Sequence, residues 1–277
     1  MPSSPLVVAL SGLSSTGKST IASHLPTIFP PPFYDLTILH VDDFYKPQTE
    51  LPHRGGLLDW DCAQSLDWPR LEDAVRSWRR DGVNNITAGS ANPQPQSQQD
   101  DDDDDDDATA VPGDDETKAQ RENGITPALV ERLRAGGVPT PPGSADERQR
   151  ILILDGFLLF TPSVPAAFRS LLDLKILLRA PYADAKGRRE SRRGYVTMEG
   201  WWEDPPEYFD TVVWPNYVEE NRGFFVDGDV QGRIDDALCE KEGVKVWVGE
   251  TDGLAKALTW VSGEMRRIVK EKQQTQL

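Results

Sequence analysis

Apolar residues fall in short, nearly unbroken runs separated by amphipathic stretches. The runs at 6–10, 37–41, 151–154, 174–178 and 244–248 are rich in Leu, Val and Ile and too short for buried helices, so each predicts a strand covered on both faces. Between them the period changes. Leu71, Ala74, Val75 and Trp78 share one face of a helix over 71–80, and Leu254, Ala257, Leu258, Val261, Met265 and Ile268 do the same in the last segment. Residues from Ser19 to Leu25 read as the first turns of a helix directly after the first run. Strands of this kind alternating with such helices predict an α/β fold of three layers, with a mostly parallel five-stranded sheet between helices. In such a sheet, ligands bind where the strands end at their carboxyl side.

One stretch breaks the alternation. Residues 82–149 hold a Pro- and Gln-rich tract, eight consecutive aspartates at 100–107, and then sequence rich in Pro, Gly and Glu. Little there can bury apolar area and like charges repel, which predicts a disordered acidic insertion with a short helix at 126–135. An interaction arm and a tolerated surface insertion both fit; the second asks for less. Without the insertion roughly 210 residues remain, a comfortable single domain over 1–277.

Charge and cysteine usage narrow the class. Residues 100–122 carry twelve acidic and two basic side chains, so −10 of the net −16 is local and only −6 belongs to the rest. A nucleic-acid-binding surface does not fit that balance. No run of 18 apolar residues predicts a membrane span, and the first residues lack the basic head and apolar stretch of a signal peptide. Cys62 and Cys239 give neither a disulfide framework nor a metal cluster and are expected as buried thiols in a reducing cytoplasm. His24, His40 and His53 have no zinc spacing and are assigned no role.

The chemistry concentrates at the predicted strand ends. Gly12-Leu13-Ser14-Ser15-Thr16-Gly17-Lys18-Ser19 fits the G-x-x-x-x-G-K-[ST] phosphate loop and lies between a strand and a helix, where that loop works. Its glycines let successive N–H groups turn toward phosphate oxygens, and the helix N-terminus adds its positive end. Lys18 is placed to reach the β- and γ-phosphates and the Ser19 hydroxyl to hold Mg²⁺. The second strand ends in His40-Val41-Asp42-Asp43-Phe44-Tyr45-Lys46-Pro47. A carboxylate there can take the proton of a substrate hydroxyl or help place Mg²⁺; a turn or helix cap before Pro47 is the plainer reading. Asp42 is favoured, and alternation along a strand would send Asp43 the other way. The third strand ends in Asp155-Gly156, the form of a carboxylate that holds Mg²⁺ or its water shell, though many strands end in such turns. In Asp59-Trp60-Asp61 an aromatic beside a carboxylate suits a planar ring and a ribose diol, or packs on the core as a loop aromatic. Lys186, Arg188, Arg189, Arg192 and Arg193 suit a phosphate-clamping lid over 186–207, or a solvated basic face.

Taken together, residues 12–20, Val-Asp-Asp-Phe-Tyr-Lys-Pro at 41–47, Asp-Trp-Asp at 59–61, Asp-Gly-Phe-Leu-Leu-Phe at 155–160, Arg188-Arg189 and Tyr-Phe-Asp-Thr-Val-Val-Trp-Pro-Asn-Tyr at 208–217 resemble nicotinamide riboside kinases, P-loop kinases related to uridine kinase. The resemblance implies transfer of the ATP γ-phosphate to the 5′-hydroxyl of nicotinamide riboside, commonly with nicotinic acid riboside as a second acceptor. It implies Asp42 as general base with Lys18 beside it. It implies a substrate set of Asp42, Asp43, Phe44, Tyr45, Trp60, Asp61, Arg189 and Tyr195. It implies an ATP set of Gly12 through Thr20 with Arg188, Arg192 and Thr251, and Ser19, Asp42 and Asp155 around Mg²⁺. The chain departs from the family in carrying Trp60 where some members have Tyr, Asp155 where some have Glu, and a longer stretch at 194–206 across which Tyr195 is matched. A uridine kinase-like acceptor preference is the nearest alternative. A nucleotide-dependent switch or scaffold using the acidic insertion as its arm is another, against which the lid arginines and pocket aromatics count.

Overall fold

The computed structural model describes residues 4–82, 124–136, 148–192, 195–197, 200–249 and 253–275. Five strands form the main sheet: β1 (Leu6–Gly12), β2 (Tyr34–His40), β5 (Gln149–Asp155), β6 (Leu174–Leu178) and β9 (Val244–Val246). Their order is β2-β5-β1-β6-β9 and every pairing is parallel. Two small antiparallel ribbons stand apart: β3 (His53–Arg54) with β4 (Leu57–Leu58), and β7 (Tyr195–Thr197) with β8 (Gly200–Trp202).

Eight helices complete the described chain: α1 (Lys18–Ile28), α2 (Trp68–Asp81), α3 (Pro127–Ala135), α4 (Ala166–Arg169), α5 (Tyr182–Glu190), α6 (Trp214–Asn221), α7 (Asp236–Glu242) and α8 (Leu254–Thr275). Side chains alternate across β1. Leu6, Val8 and Leu10 face the core shared by α1, α3 and α8, while Val7 and Ala9 face the one shared by α2 and the segment from Leu159 to Phe225. The result is the three-layer P-loop α/β fold, with β1 at the centre and its phosphate loop at the carboxyl edge.

The expected elements stand, with shifted ends. Asp67 caps α2, its carboxylate accepting the Arg70 N–H at 3.1 Å, so that helix starts three residues before the first apolar position that signalled it. The acidic run at 100–107 lies outside the described residues. Within the stretch 82–149 the described residues include the short helix expected at 126–135. Thr126 caps α3, and Leu129 and Leu133, one turn apart, are buried between α1 and α8. Pro127 at the first turn and one apolar pair are enough to anchor this helix in the core.

Gly156 follows β5 at a close approach. A β-carbon there would stand 2.7 Å from the Val41 Cβ and 3.0 Å from Leu159 Cδ2. Gly156→Ala is therefore expected to lower stability by about 1–3 kcal/mol, measured as a lower urea midpoint at unchanged slope.

Candidate active site

β1 ends in the phosphate loop, and α1 begins at Lys18. Gly17 enters the helix at φ +87°, where a β-carbon would run 2.2 Å from the Leu254 side chain. Glycine meets both conditions. The loop is tied across itself: Thr16 Oγ1 donates to the Leu13 carbonyl at 2.9 Å, and Lys18 Nζ donates to the Gly12 and Leu13 carbonyls at 3.0 Å each. Burial pushes the Lys18 ammonium below its ordinary pKa, with Asp155 and Asp42 opposing that push. The Ser15 hydroxyl is buried and has no hydrogen-bond partner among the described residues, an orphan donor in the wall of an anion cradle.

The carboxylates gather beside Lys18. Asp155 is buried at the end of β5 and pairs with the residue opposite it in register, His40, whose Nδ1 lies 3.1 Å from Asp155 Oδ2. Burial alone would raise the Asp155 pKa. The His40 hydrogen bond, the Lys18 charge and a hydrogen bond with Ser19 outweigh it and hold the carboxyl below its usual range. Asp42 keeps part of its surface in solvent while protein crowds its carboxyl group. That crowding and the neighbouring Asp155 charge raise its pKa to about 6, against the pull of Lys18.

Strand alternation does not govern this corner. β2 stops at His40, and Val41–Phe44 winds into one 3₁₀ turn. Three residues per turn put Val41 and Phe44 on the same inner side and leave Asp42 and Asp43 outside. Phe44, expected among the substrate residues, therefore points inward. It is buried in the core, and the Arg70 guanidinium lies 4.8 Å from its ring centroid.

Aromatic rings enclose the space beyond Asp42. Trp60 meets Tyr45 edge-on at 5.2 Å and Trp202 at 5.7 Å, and Tyr45 stacks on Phe157 at 6.1 Å. The Trp60 indole N–H is buried without a partner among the described residues. Asp61 and Arg189 form the buried floor. Arg189 Nη1 and Nη2 donate to the two Asp61 oxygens at 3.0 and 3.2 Å, and its Nε and Nη2 donate to Asp204 at 2.6 and 3.2 Å. The Trp202 indole N–H holds the same Asp204 at 3.1 Å, and Arg189 lies 5.3 Å over the Tyr208 ring.

α5 sorts its arginines by face. Ala185 and Arg189, one turn apart, point inward, where Arg189 meets two carboxylates. Arg188 is on the outer side, with Nη1 donating to the Ser15 carbonyl of the phosphate loop at 3.3 Å. Arg192 follows one turn later, close enough to Lys18 to lower its pKa. Thr251 lies outside the described residues. Tyr195 is described only as part of β7; its side chain lies outside the described part.

The chain is 31% identical over 272 residues to the nicotinamide riboside kinase of Saccharomyces cerevisiae, covering 96% of this chain and 98% of that one. It is 30% identical over 230 residues to the nicotinamide riboside kinase of Schizosaccharomyces pombe, 83% of this chain and 84% of the relative. The chain belongs to the nicotinamide riboside kinase family. Human nicotinamide riboside kinase 2 is a more distant relative, at 26% identity over 227 residues, 80% of this chain and 70% of that one. Among solved structures, one described as a possible uridine kinase from Bacillus stearothermophilus matches with 16% identity and a TM-score of 0.38, over 82% of this chain and 89% of that one. No protein-family model matches the chain.

For a nicotinamide riboside kinase, the ring of supports around the pocket is informative. The sequence motifs led to Lys18, Asp42, Asp61, Arg188 and Asp155. They assigned no role to His40, Asp204 or Tyr208, which hold Asp155, Arg189 and Trp60 respectively. Tyr208 accepts the Trp60 backbone N–H on its hydroxyl at 3.1 Å. His40 had one available signal: it directly follows an apolar run and precedes Val-Asp-Asp, at the end of the strand that pairs with the Asp155 strand.

The donor set also bears on a divalent cation. Ser19 and Asp155 offer hard oxygen atoms and already hydrogen-bond one another, and Asp42 is near both charges. Among the described residues no group of three or more His, Cys, Asp or Glu side chains encloses a site. One or two carboxylates with a hydroxyl suit Mg²⁺ carried in on nucleotide phosphates, which keeps several waters. The residues therefore fit that ion.

Proposed function

We propose that this chain transfers the γ-phosphate of ATP to the 5′-hydroxyl of nicotinamide riboside, with nicotinic acid riboside as a second acceptor, and that it does so in the cytoplasm. The observation that carries the reading is the position of Asp42. It interacts electrostatically with Lys18 and Asp155 on the phosphate-loop side and with Tyr45 and Asp61 on the pocket side. A carboxylate between a phosphate cradle and an aromatic pocket is where an acceptor hydroxyl must lose its proton. Cys62 and Cys239 are free and buried, which suits a reducing compartment.

The chemistry follows from these positions. The 5′-oxygen attacks the γ-phosphorus in line, its O–H proton passes to an Asp42 oxygen, and the bond from phosphorus to the β–γ bridging oxygen breaks, leaving ADP with the electron pair. Lys18 leaves the Gly12 and Leu13 carbonyls it caps and neutralises the phosphate oxygens, with Arg188 of α5 and Arg192 just beyond its end closing over them. Ser19, Asp155 and Asp42 would hold Mg²⁺, which neutralises β- and γ-phosphate charge. Asp61 keeps acceptor lone pairs beyond its two bonds to Arg189 and turns them to the ribose diol. Trp60 and Tyr45 give the pyridinium ring an aromatic wall, which favours a cationic ring. Trp202 of the β7–β8 ribbon stands against Trp60 and excludes water from the transfer.

A coupled ADP-release assay with nicotinamide riboside, nicotinic acid riboside, uridine and cytidine, each with ATP and with GTP, tests the reading. Phosphorylation of the pyridine ribosides is expected. A clear preference for uridine would replace the acceptor, and nucleotide binding without phosphorylation of any nucleoside would replace the enzyme by a switch or scaffold.

A further inference from the structure

Hydrogen bonds run from the outer face of α6 to the backbone of Asp61, through groups that take no part in phosphoryl transfer. Glu219 receives Arg54 at 3.0 Å from Nη1 and 2.5 Å from Nη2. Arg54 Nη1 also donates to Asn216 Oδ1 at 2.8 Å. That contact orients the amide, because Arg54 takes the oxygen and only Nδ2 is left to face Asp59. Nδ2 donates to Asp59 Oδ1 and Oδ2 at 2.8 and 2.9 Å, and Oδ1 accepts the Asp61 N–H at 3.0 Å.

Asp59 and Asn216 are each 5% exposed. A buried carboxylate facing an amide is costly unless its acceptors are filled, and apolar side chains of similar volume would pack as well. The polar chain therefore supplies orientation. It holds the peptide segment on both sides of Trp60: the Asp59 N–H donates to the Pro52 carbonyl at 2.8 Å, and the Asp61 N–H donates to the Asp59 carboxylate. We propose that Arg54, Asn216 and Asp59 form a positioning relay that fixes Trp60 and Asp61 for the acceptor riboside, so that nucleoside affinity is set from the α6 face. This rests on the riboside reading of the pocket.

Three variants separate positioning from mere support. Asn216→Asp sets a second carboxylate against Asp59. Arg54→Ala removes the donor that orients the amide, at a site 30% exposed where folding is little at risk. The double variant Asp59→Asn with Asn216→Asp restores the original charge and one of the two donor–acceptor contacts between these side chains. The new amide at 59 donates to the new carboxylate at 216, which still accepts from Arg54, and the amide oxygen still accepts the Asp61 N–H. Two readouts are used: KM for nicotinamide riboside against KM for ATP, and hydrogen exchange at the Asp61 amide, which needs no substrate.

Asn216→Asp is expected to raise the riboside KM about tenfold and leave the ATP KM alone, because small misplacements at a binding group are costly. The Asp61 amide is expected to exchange about tenfold faster as its acceptor is disturbed. Arg54→Ala is expected to act in the same direction by less, and the double variant to return both readouts toward wild type. Unchanged riboside KM and Asp61 exchange in Arg54→Ala and Asn216→Asp, equal rises in both KM values, or a double variant as impaired as Asn216→Asp would overturn the relay. Should Asn216→Asp not fold, Arg54→Ala decides by the same two readouts. Should the wild-type protein phosphorylate no pyridine riboside while Asp61 exchange responds as stated, the riboside reading falls and the relay stands.

Discussion

Asp42→Asn is expected to lower kcat for nicotinamide riboside by about 10²–10⁴, a larger effect than on the KM for ATP. Asparagine keeps the size and the hydrogen-bonding oxygen and removes the capacity to take a proton. The loss therefore falls on the transfer step, while the phosphate loop from Gly12 to Ser19 still cradles the nucleotide. The pH profile gives an independent check. Asp42 acts only when ionised, and its pKa is raised to about 6 by crowding and by Asp155. kcat/KM for the riboside is therefore expected to rise with pH through about 6 and level off above it, and Asp42→Asn to lose that rising limb. A variant with near-normal turnover, or a wild-type profile flat from pH 5 to 7, would remove Asp42 from proton transfer.

The parts legible in the sequence are those whose signal is local. The phosphate loop is one contiguous stretch with fixed backbone demands, and the five strands announce themselves as apolar runs because both faces of the sheet are covered. Asp42 and Asp155 were singled out because each follows such a run, and Lys18 because it belongs to the phosphate-loop stretch. The 3₁₀ turn at Val41–Phe44 was not legible, because strand and turn residues share the same apolar–acidic pattern; the change of period alone turns Phe44 inward. Helix α3 was only half legible. Its flanking composition masked a Thr126 cap and a Leu129–Leu133 pair whose burial depends on α1 and α8, both remote in sequence.

The supports of the pocket were illegible for a different reason. Asp204 comes 143 positions after Asp61 and Asn216 comes 157 after Asp59, and no period or motif links residues at such separations. Each is an ordinary polar residue in a loop or on a helix until the fold brings it to a partner. Arg189 shows the consequence. By residue type its neighbour Arg188 reads identically and only the family resemblance separates the two; in the fold one turns to two carboxylates and the other to the Ser15 carbonyl, as helix phase dictates.

Arg189→Met is expected to have the largest effect on stability, lowering it by about 3–5 kcal/mol. Arg189 is 7% exposed and serves two carboxylates at once, Asp61 from the pocket loop and Asp204 from the segment after β8. Methionine fills most of the volume but leaves both carboxylates without their cation, and the cost is that of uncompensated charge rather than of lost packing. Arg189→Lys is expected to recover only part, since a single ammonium cannot present two forks. The distinguishing experiment is a cycle with Asp204→Asn. If charge is the cause, Arg189→Met costs less in the Asp204→Asn background than in wild type, by about 1 kcal/mol or more in the urea unfolding free energy. Riboside phosphorylation is expected to fall in parallel, because Asp61, Asp204 and Trp202 lose the group that holds them together. A stability within about 0.5 kcal/mol of wild type would show that the double fork contributes nothing to the folded state. Equal costs in the two backgrounds would show that the loss is one of packing, and the bond from the segment after β8 to the pocket floor would then have to be sought in the contact of Trp202 with Trp60.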